Sequence, residues 1–116
     1  MKYLLLIYAS EAVEPQYGTP EFDELIAGYR TFTKEVEDKG ALLGGDALTP
    51  VETASTVRVR QGKVQVSDGP FAETKEQLGG YYLLECKDLD EAMDFASRIP
   101  SAKHGCVEVR PIQVFE

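Results

Sequence analysis

Residues 68–86 read DGPFAETKEQLGGYYLLEC and join two contrasting kinds of sequence. The first half has Gly69, Pro70 and several charged side chains, a composition typical of a surface connection. The second half, YYLLEC, is rich in residues that favour strands. Gly79 and Gly80 permit a sharp change of direction between the two halves. The stretch therefore predicts a loop that returns the chain to a buried strand.

The segments before this stretch predict a strand, a helix and a second strand. The start, KYLLLIYAS, is apolar on both alternating faces, as in a central strand that is covered on two sides. Thr19 and Pro20 predict the start of a long amphipathic helix, which ends at Gly40. Residues 41–48, ALLGGDAL, predict a second strand that its glycine pair interrupts with a bulge or a close backbone approach.

A hairpin, a second helix and a last strand complete the pattern. Residues 55–68 alternate along two arms joined by QGK, which predicts an inserted hairpin. Asp88 and Glu91 form a variant of the capping box at the start of the second helix, and Pro100 ends that helix. The last segment, CVEVRPIQVF, predicts a strand that Pro111 marks as an edge strand.

The order of these elements predicts one α+β domain over residues 1–116, with a ferredoxin-like split βαβ fold and an inserted β-hairpin. The first and third main strands are expected at the centre of the sheet and the second and last at its edges. Two helices cover only one face of such a sheet. The other face, about 400 Å² for four strands of six residues, needs a cover, and a second copy is the simplest one, which predicts a homodimer.

Composition and charge exclude several classes of function. Twelve basic and twenty acidic residues give a net charge of -8 with no basic block, so nucleic acid is a poor partner. No apolar run is long enough to span a membrane, and a cytoplasmic location is expected. Cys86 and Cys106 lack metal-binding spacing, and the single histidine argues against zinc, so no metal and no cofactor are expected. The two cysteines are predicted to be free thiols, because the first strand lies between the two strands that carry them.

The chain resembles a known family in DGPFAETKEQLGGYYLLE, VEVRPI, MKYLLLIY and TVRVRQGKVQVSDGPF. These segments are similar to the YCII-related family, specifically its DGPF-domain branch, over essentially the whole chain. The resemblance implies a dimeric α/β barrel in a superfamily that includes small enzymes without metals. The DGPF branch is often linked to extracytoplasmic-function sigma factors, which makes a sigma factor one expected partner. Shorter members use a histidine near the first helix with an aspartate, and this sequence has no histidine there.

Asp68 and His104 are the candidate catalytic residues. The predicted topology brings residues 49–80 and 100–105 to one rim of the sheet, where Asp68 and His104 are expected to be neighbours. Asp68 would serve as a general base and His104 as a proton carrier. The alternative is that Asp68 accepts hydrogen bonds within its own turn and that His104 is a solvated loop residue.

Tyr81, Glu108 and Arg110 are the candidate ligand-binding residues. Glu108 and Arg110 alternate with Val107 and Val109 on the last strand, so the charged pair is expected on the face away from the helices. A charge pair at a sheet edge or subunit seam is the alternative. Tyr81 and its neighbour Tyr82 are expected on opposite faces, so that at most one of them lines a cavity.

Two hypotheses of function stay open at this point. The first is a small-molecule enzyme that uses acid/base chemistry without a cofactor. The second is a non-catalytic ligand-binding or regulatory module associated with a sigma factor. Whether the protein is an enzyme, and which molecule it binds, are not decided by the sequence.

Overall fold

The computed structural model describes residues 1–115 as a four-stranded antiparallel sheet, two helices and a separate two-stranded arm. The elements are β1 (Lys2–Ala9), α1 (Pro20–Asp38), β2 (Leu42–Ala47), β3 (Ser55–Arg60), β4 (Lys63–Asp68), β5 (Gln77–Glu85), α2 (Leu89–Ser97) and β6 (Cys106–Pro111). Short 3₁₀ turns lie at Val51–Thr53 and Pro100–Lys103. The predicted α+β ferredoxin-like fold with an inserted hairpin is confirmed.

The main sheet has the strand order β2-β5-β1-β6, and all three pairings are antiparallel. The two apolar strands are central, and β6, which ends at Pro111, is at an edge, as predicted. Leu42 pairs with Leu84 while Gly44 pairs with Leu83, so Leu43 is an extra residue in β2. The predicted bulge in this strand is therefore present.

Local sequence signals account for both helix starts. The Thr19 hydroxyl accepts a hydrogen bond from the Phe22 amide at 3.2 Å, and Pro20 is the first helical residue of α1. In α2, an Asp88 carboxylate oxygen accepts from the Glu91 amide at 2.9 Å. Gly40 follows α1 with φ +71°, a conformation that only glycine adopts without strain.

The core lies between both helices and one face of the sheet. Leu5, Leu84 and Val36 are fully buried there. Side chains from each helix complete the same cluster, namely Phe32 and Val36 from α1 and Ala92, Phe95 and Ala96 from α2. Both helices therefore cover the same face, and the opposite face of the sheet has no cover within residues 1–115. That open face has Leu4 and Leu6 from β1, Leu83 from β5, and Glu108 and Arg110 from β6.

Arg98 connects the two helices on their outer side. Its guanidinium donates to Glu35 of α1 at 2.7 Å and to Asp94 of α2 at 2.5 Å, and it lies 5.2 Å from the centre of the Phe95 ring. The hydrogen bond from Arg98 is the main reason that the pKa of Glu35 is lowered. The ion pairs are largely exposed, so they orient the helices and contribute little to stability.

Both cysteines are free thiols, as predicted. Cys86 is buried at the end of β5, and burial is the main cause that raises its pKa. Cys106 is exposed at the start of β6, with its sulfur 3.5 Å from a Glu76 carboxylate oxygen. Among residues 1–115, neither helix is long and apolar enough to cross a membrane.

Candidate functional site

A cavity of about 750 Å³ lies between α1 and the β2–β5 side of the sheet. Most of its wall is apolar, with side chains such as Phe22, Leu25 and Leu42. The polar lining residues are Glu14, Tyr29, Thr33, Glu37, Asp46, Tyr81, Tyr82 and Ser101. An apolar cavity with a few convergent polar groups is the usual form of a small-molecule site.

Four side chains form a hydrogen-bonded chain along one wall of this cavity. The Tyr29 hydroxyl donates to Ser101 Oγ at 2.6 Å, and Ser101 Oγ donates to Glu14 Oε1 at 3.1 Å. The other carboxylate oxygen of Glu14, Oε2, lies 2.8 Å from His104 Nε2. Both oxygens of Glu14 are therefore engaged, and His104 continues the chain away from the cavity. His104 itself borders a second groove of about 630 Å³, between α1 and residues 98–104.

The pairing of β1 with β6 brings these residues together across the length of the chain. Glu14 is in the loop that follows β1, and Ser101 and His104 are in the connection that precedes β6. Tyr8 pairs with Cys106, so the end of β1 lies beside the start of β6. The loop and the connection therefore meet at one rim of the sheet, and Tyr29 of α1 reaches the same place.

Burial controls the chemistry of this hydrogen-bonded chain. Ser101 is 1% exposed, which makes it the one buried polar residue among residues 1–115. A buried hydroxyl is costly without partners, and here Ser101 has a donor on one side and an acceptor on the other. Burial is also the main cause that raises the pKa of Tyr29. Tyr29 is thus a neutral phenol at physiological pH, and its hydroxyl donates a hydrogen bond to Ser101.

Two tyrosines of β5 border the cavity, one from each face of the sheet. Tyr82 is on the helix face, where its hydroxyl shares a 2.7 Å hydrogen bond with Thr33 and its ring packs edge-on against Phe32. The Tyr81 hydroxyl donates to Asp46 Oδ2 at 2.9 Å, and this hydrogen bond is the main cause that raises the pKa of Tyr81. The predicted division of the tyrosine pair between opposite faces is present, although parts of both residues border the cavity.

Asp68 lies at the end of β4 and is exposed. Among residues 1–115 no side-chain hydrogen bond to its carboxylate is present, and the alternative role within its own turn stays a prediction. The turn is held by the Gly69 amide, which donates to Ala54 O at 2.7 Å, and by Thr56 Oγ1, which donates to Gly69 O at 2.8 Å. The carboxylate that contacts His104 is Glu14, not Asp68. A catalytic role for Asp68 stays a prediction.

Glu108 and Arg110 lie on the open face of the sheet, where the alternation of β6 predicts them. Arg110 Nε donates to Glu108 Oε2 at 2.7 Å, and Val107 and Val109 pack against the core on the other side. Glu108 is in register with Leu6, which in turn pairs with Tyr81. The charged pair is therefore on the opposite face from the cavity, and its binding role stays a prediction.

Glu14, Tyr29 and Ser101 were missed by sequence reasoning. Tyr29 has the spacing of a core residue in α1, and Ser101 and Glu14 are in short irregular segments without a motif. One signal was available, because β1 and β6 are antiparallel neighbours in the predicted sheet. The residues that follow β1 had to lie at the same rim as residues 100–105, and Glu14 is a carboxylate in that segment.

Metal ligands are not grouped in this site. Within the described residues 1–115, no cluster of three or more His, Cys, Asp or Glu side chains is placed to hold a metal ion.

The fold and the cavity define a small ferredoxin-like α+β protein with a site between its first helix and its sheet. The chain belongs to the YCII-related family, since residues 1–116 match the model of the YCII-related domain. An uncharacterised protein of Rhizobium meliloti (strain 1021) is 37% identical over 118 residues, which cover 100% of this chain and 95% of that protein. Among solved structures, the chain is similar to 5-chloro-2-hydroxyhydroquinone dehydrochlorinase from Burkholderia phenoliruptrix AC1100, in complex with 2,5-dihydroxybenzoquinone. The TM-score is 0.49 with 16% sequence identity, over 97% of this chain and 94% of that chain.

Proposed function

We propose that this protein is a small-molecule enzyme that transfers protons within the cavity between α1 and the sheet. The observation that carries the proposal is the chain Tyr29–Ser101–Glu14–His104, whose central hydroxyl is 1% exposed. A carboxylate that borders a largely apolar cavity, held by a buried hydroxyl and a neutral phenol, supplies a positioned proton acceptor.

Each member of this chain has a distinct role in the proposal. Glu14 is the general base, because it is the carboxylate whose oxygens accept from both neighbours. His104 Nε2–H donates to Glu14 Oε2 from the side of the second groove and so holds the carboxylate in place. Ser101 holds Glu14 Oε1, and Tyr29 donates to Ser101. Glu14 takes a proton from one atom of the substrate on a free lone pair and returns it to another atom of the substrate or to water.

The charge of the cavity restricts the substrate. The carboxylates of Glu14 and Glu37 line it, and the lining residues include no lysine and no arginine. A carboxylate or phosphate substrate would enter this field without a cationic partner, which is unfavourable in a partly desolvated site. The proposed substrate is therefore an uncharged or cationic molecule with an apolar body.

Matched fragments test this proposal by their effect on the melting temperature. Benzamide, benzylamine and benzoate share a ring and differ in charge. We expect the first two to raise Tm, and a fragment at about ten times its Kd to stabilise the protein by roughly 1.4 kcal/mol. Benzoate should leave Tm unchanged. Differential scanning fluorimetry at equal millimolar concentrations makes the comparison.

Two variants assign any stabilisation to the cavity. Ile26→Trp fills the cavity from α1, so it should abolish the effect of benzamide. Met93→Trp puts the same ring on the exposed side of α2 and should preserve it. Equal stabilisation by benzoate, or a full benzamide effect in Ile26→Trp, would show that the cavity is not the site.

We further propose that the protein is a homodimer and belongs to the DGPF branch of its family. Residues 68–71 read DGPF, and the open face of the sheet has Leu4, Leu6 and Leu83 without a cover. A second copy covers such a face by the same residues on both sides of a two-fold axis. The cytoplasmic location and the sigma-factor partner stay predictions.

Light scattering at micromolar concentration checks the dimer. The expected mass is about twice the 12.8 kDa of one chain. A mass of one chain would contradict the proposed dimer.

A further inference from the structure

The arm, residues 55–68, has an apolar face that packs on nothing within residues 1–115. Val57 pairs with Val66 and Val59 pairs with Val64, so all four valines lie on one face of the hairpin. Each is between 59% and 69% exposed. Single apolar side chains are common on protein surfaces, but four neighbouring valines form a contiguous apolar patch. Such a patch indicates a surface that another element or partner covers.

The other face of the arm is basic. Arg58 pairs with Gln65 and Arg60 pairs with Lys63, on the side away from the valines. The arm contains three of the twelve basic residues and one of the twenty acidic residues, so its charge is +2 while the remainder of the chain has -10. The arm and the body of the protein are therefore opposite in charge.

The arm extends away from the body. The chain measures 47 × 47 × 18 Å, and its radius of gyration is 16.1 Å, against about 13 Å for a compact chain of this length. Two strands alone are marginal in water, and a hairpin needs a further layer for independent stability. At its base, the two sides of the arm are joined by the hydrogen bonds that Gly69 and Thr56 make. A closed base and an uncovered apolar face are the features of an arm that reaches a partner.

We propose that the arm of each copy docks by its valine face on the body of a second copy of this chain. The charge favours this partner, because an arm of +2 attracts a body of -10 while the two copies approach, even though the basic side chains lie on the face away from the contact. The inference rests on the proposed dimer and adds that each copy contributes its arm to the other. The two arms are exchanged symmetrically, so the same contact occurs twice in the assembly.

The buried area supports exchange of the arms. The open face of the sheet supplies a footprint of about 400 Å² per copy, half of the roughly 800 Å² per partner that a stable interface buries. One face of a hairpin with two six-residue strands has an area of about 200 Å². In an exchanged dimer each copy buries its own arm face and the patch under the arm of its partner. The total then reaches about 800 Å² per copy, which the sheet alone does not supply.

Photo-crosslinking at neighbouring positions tests the contact. A benzophenone amino acid replaces either Val64, on the apolar face, or Gln65, on the basic face one residue further. We expect Val64→benzoylphenylalanine to give a crosslinked dimer at high yield and Gln65→benzoylphenylalanine at least tenfold less. Mass spectrometry then identifies the crosslinked residues, which should belong to the body of the other copy.

A pair of charge variants tests how much the valine face contributes to the stability of the dimer. Val64→Asp and Gln65→Asp each add one negative charge to the arm at adjacent positions. Both variants lower the charge of the arm by one, so their difference reports the apolar contact alone, and Val64→Asp should weaken the dimer at least tenfold more in Kd than Gln65→Asp does. Sedimentation velocity measures both, and circular dichroism verifies that the body stays folded.

The results distinguish failure of the arm-exchange proposal from failure of the dimer proposal. A wild-type chain that sediments as a monomer overturns both the proposed dimer and the exchange of arms. A wild-type dimer without crosslinks from position 64 overturns the exchange alone and leaves the sheet-to-sheet dimer. Crosslinks from position 64 to the same chain would likewise contradict the exchange.

Discussion

Replacing Glu14 with glutamine is expected to slow proton transfer in the cavity by about 10² to 10⁴-fold, the range that a positioned general base contributes. Glutamine has the size and shape of glutamate. Its amide oxygen still accepts from Ser101, and its amide group still reaches His104. The variant should therefore keep the fold while it lacks the group that takes the proton.

Deuterium incorporation into an uncharged ketone measures this loss without knowledge of the natural substrate. Acetophenone has exchangeable protons next to its carbonyl group and carries no charge, so it suits the lining of the cavity. The wild-type protein in D₂O is expected to accelerate exchange over buffer at the same pD. Proton NMR follows the decrease of the methyl signal in both proteins.

A matched control isolates Glu14 from the general charge of the cavity. Glu37→Gln removes one negative charge from the same lining, on α1, without touching the hydrogen-bonded chain. It should retain exchange within about threefold of the wild type. If Glu14→Gln exchanges as fast as the wild type, Glu14 only anchors its loop, and the proposed role is wrong. A wild-type protein that does not accelerate exchange would overturn the proton-transfer proposal itself.

The fold was predictable because its signals are local and repeated along each element. The apolar character of β1 on both faces requires a central position, and Pro111 requires an edge. Thr19 followed by Pro20 marks the start of α1 through a side-chain acceptor and a fixed φ. Each signal acts within a few residues, so each can be identified from the sequence without knowledge of the tertiary structure.

The site was less predictable because its contacts join distant segments. Glu14 and His104 are 90 residues apart, and Tyr29 and Ser101 are 72 apart. The topology predicted that His104 lies at a functional rim, but the choice of its carboxylate depends on how the loop after β1 folds. Asp68 is predicted at the same rim as His104, whereas in the structure the carboxylate that contacts His104 is Glu14.

Replacing Gly105 with alanine is expected to destabilise the protein by about 2 kcal/mol or more, which for a chain of this size lowers Tm by roughly 8 °C or more. A Cβ atom at this position would lie 2.1 Å from the Tyr8 carbonyl oxygen and 3.0 Å from Ala9 Cα. Both atoms belong to the backbone of central strand β1, which cannot move away without breaking its pairing with β5. The start of β6 would have to shift instead.

Gly79→Ala is the matched control, because a Cβ atom there meets nothing within 4 Å. It should change the free energy of unfolding by less than about 0.5 kcal/mol. Thermal unfolding followed by circular dichroism measures both variants, and equal Tm values for them would show that the contact of Gly105 with β1 is not required.

The substitution of Gly105 is also expected to affect the candidate site. Gly105 directly follows His104, and its amide donates to Ser101 O at 2.8 Å. Because the close approach of β6 to β1 also places His104 and Ser101 beside Glu14, Gly105→Ala should disturb the hydrogen-bonded chain even at temperatures where the protein remains folded.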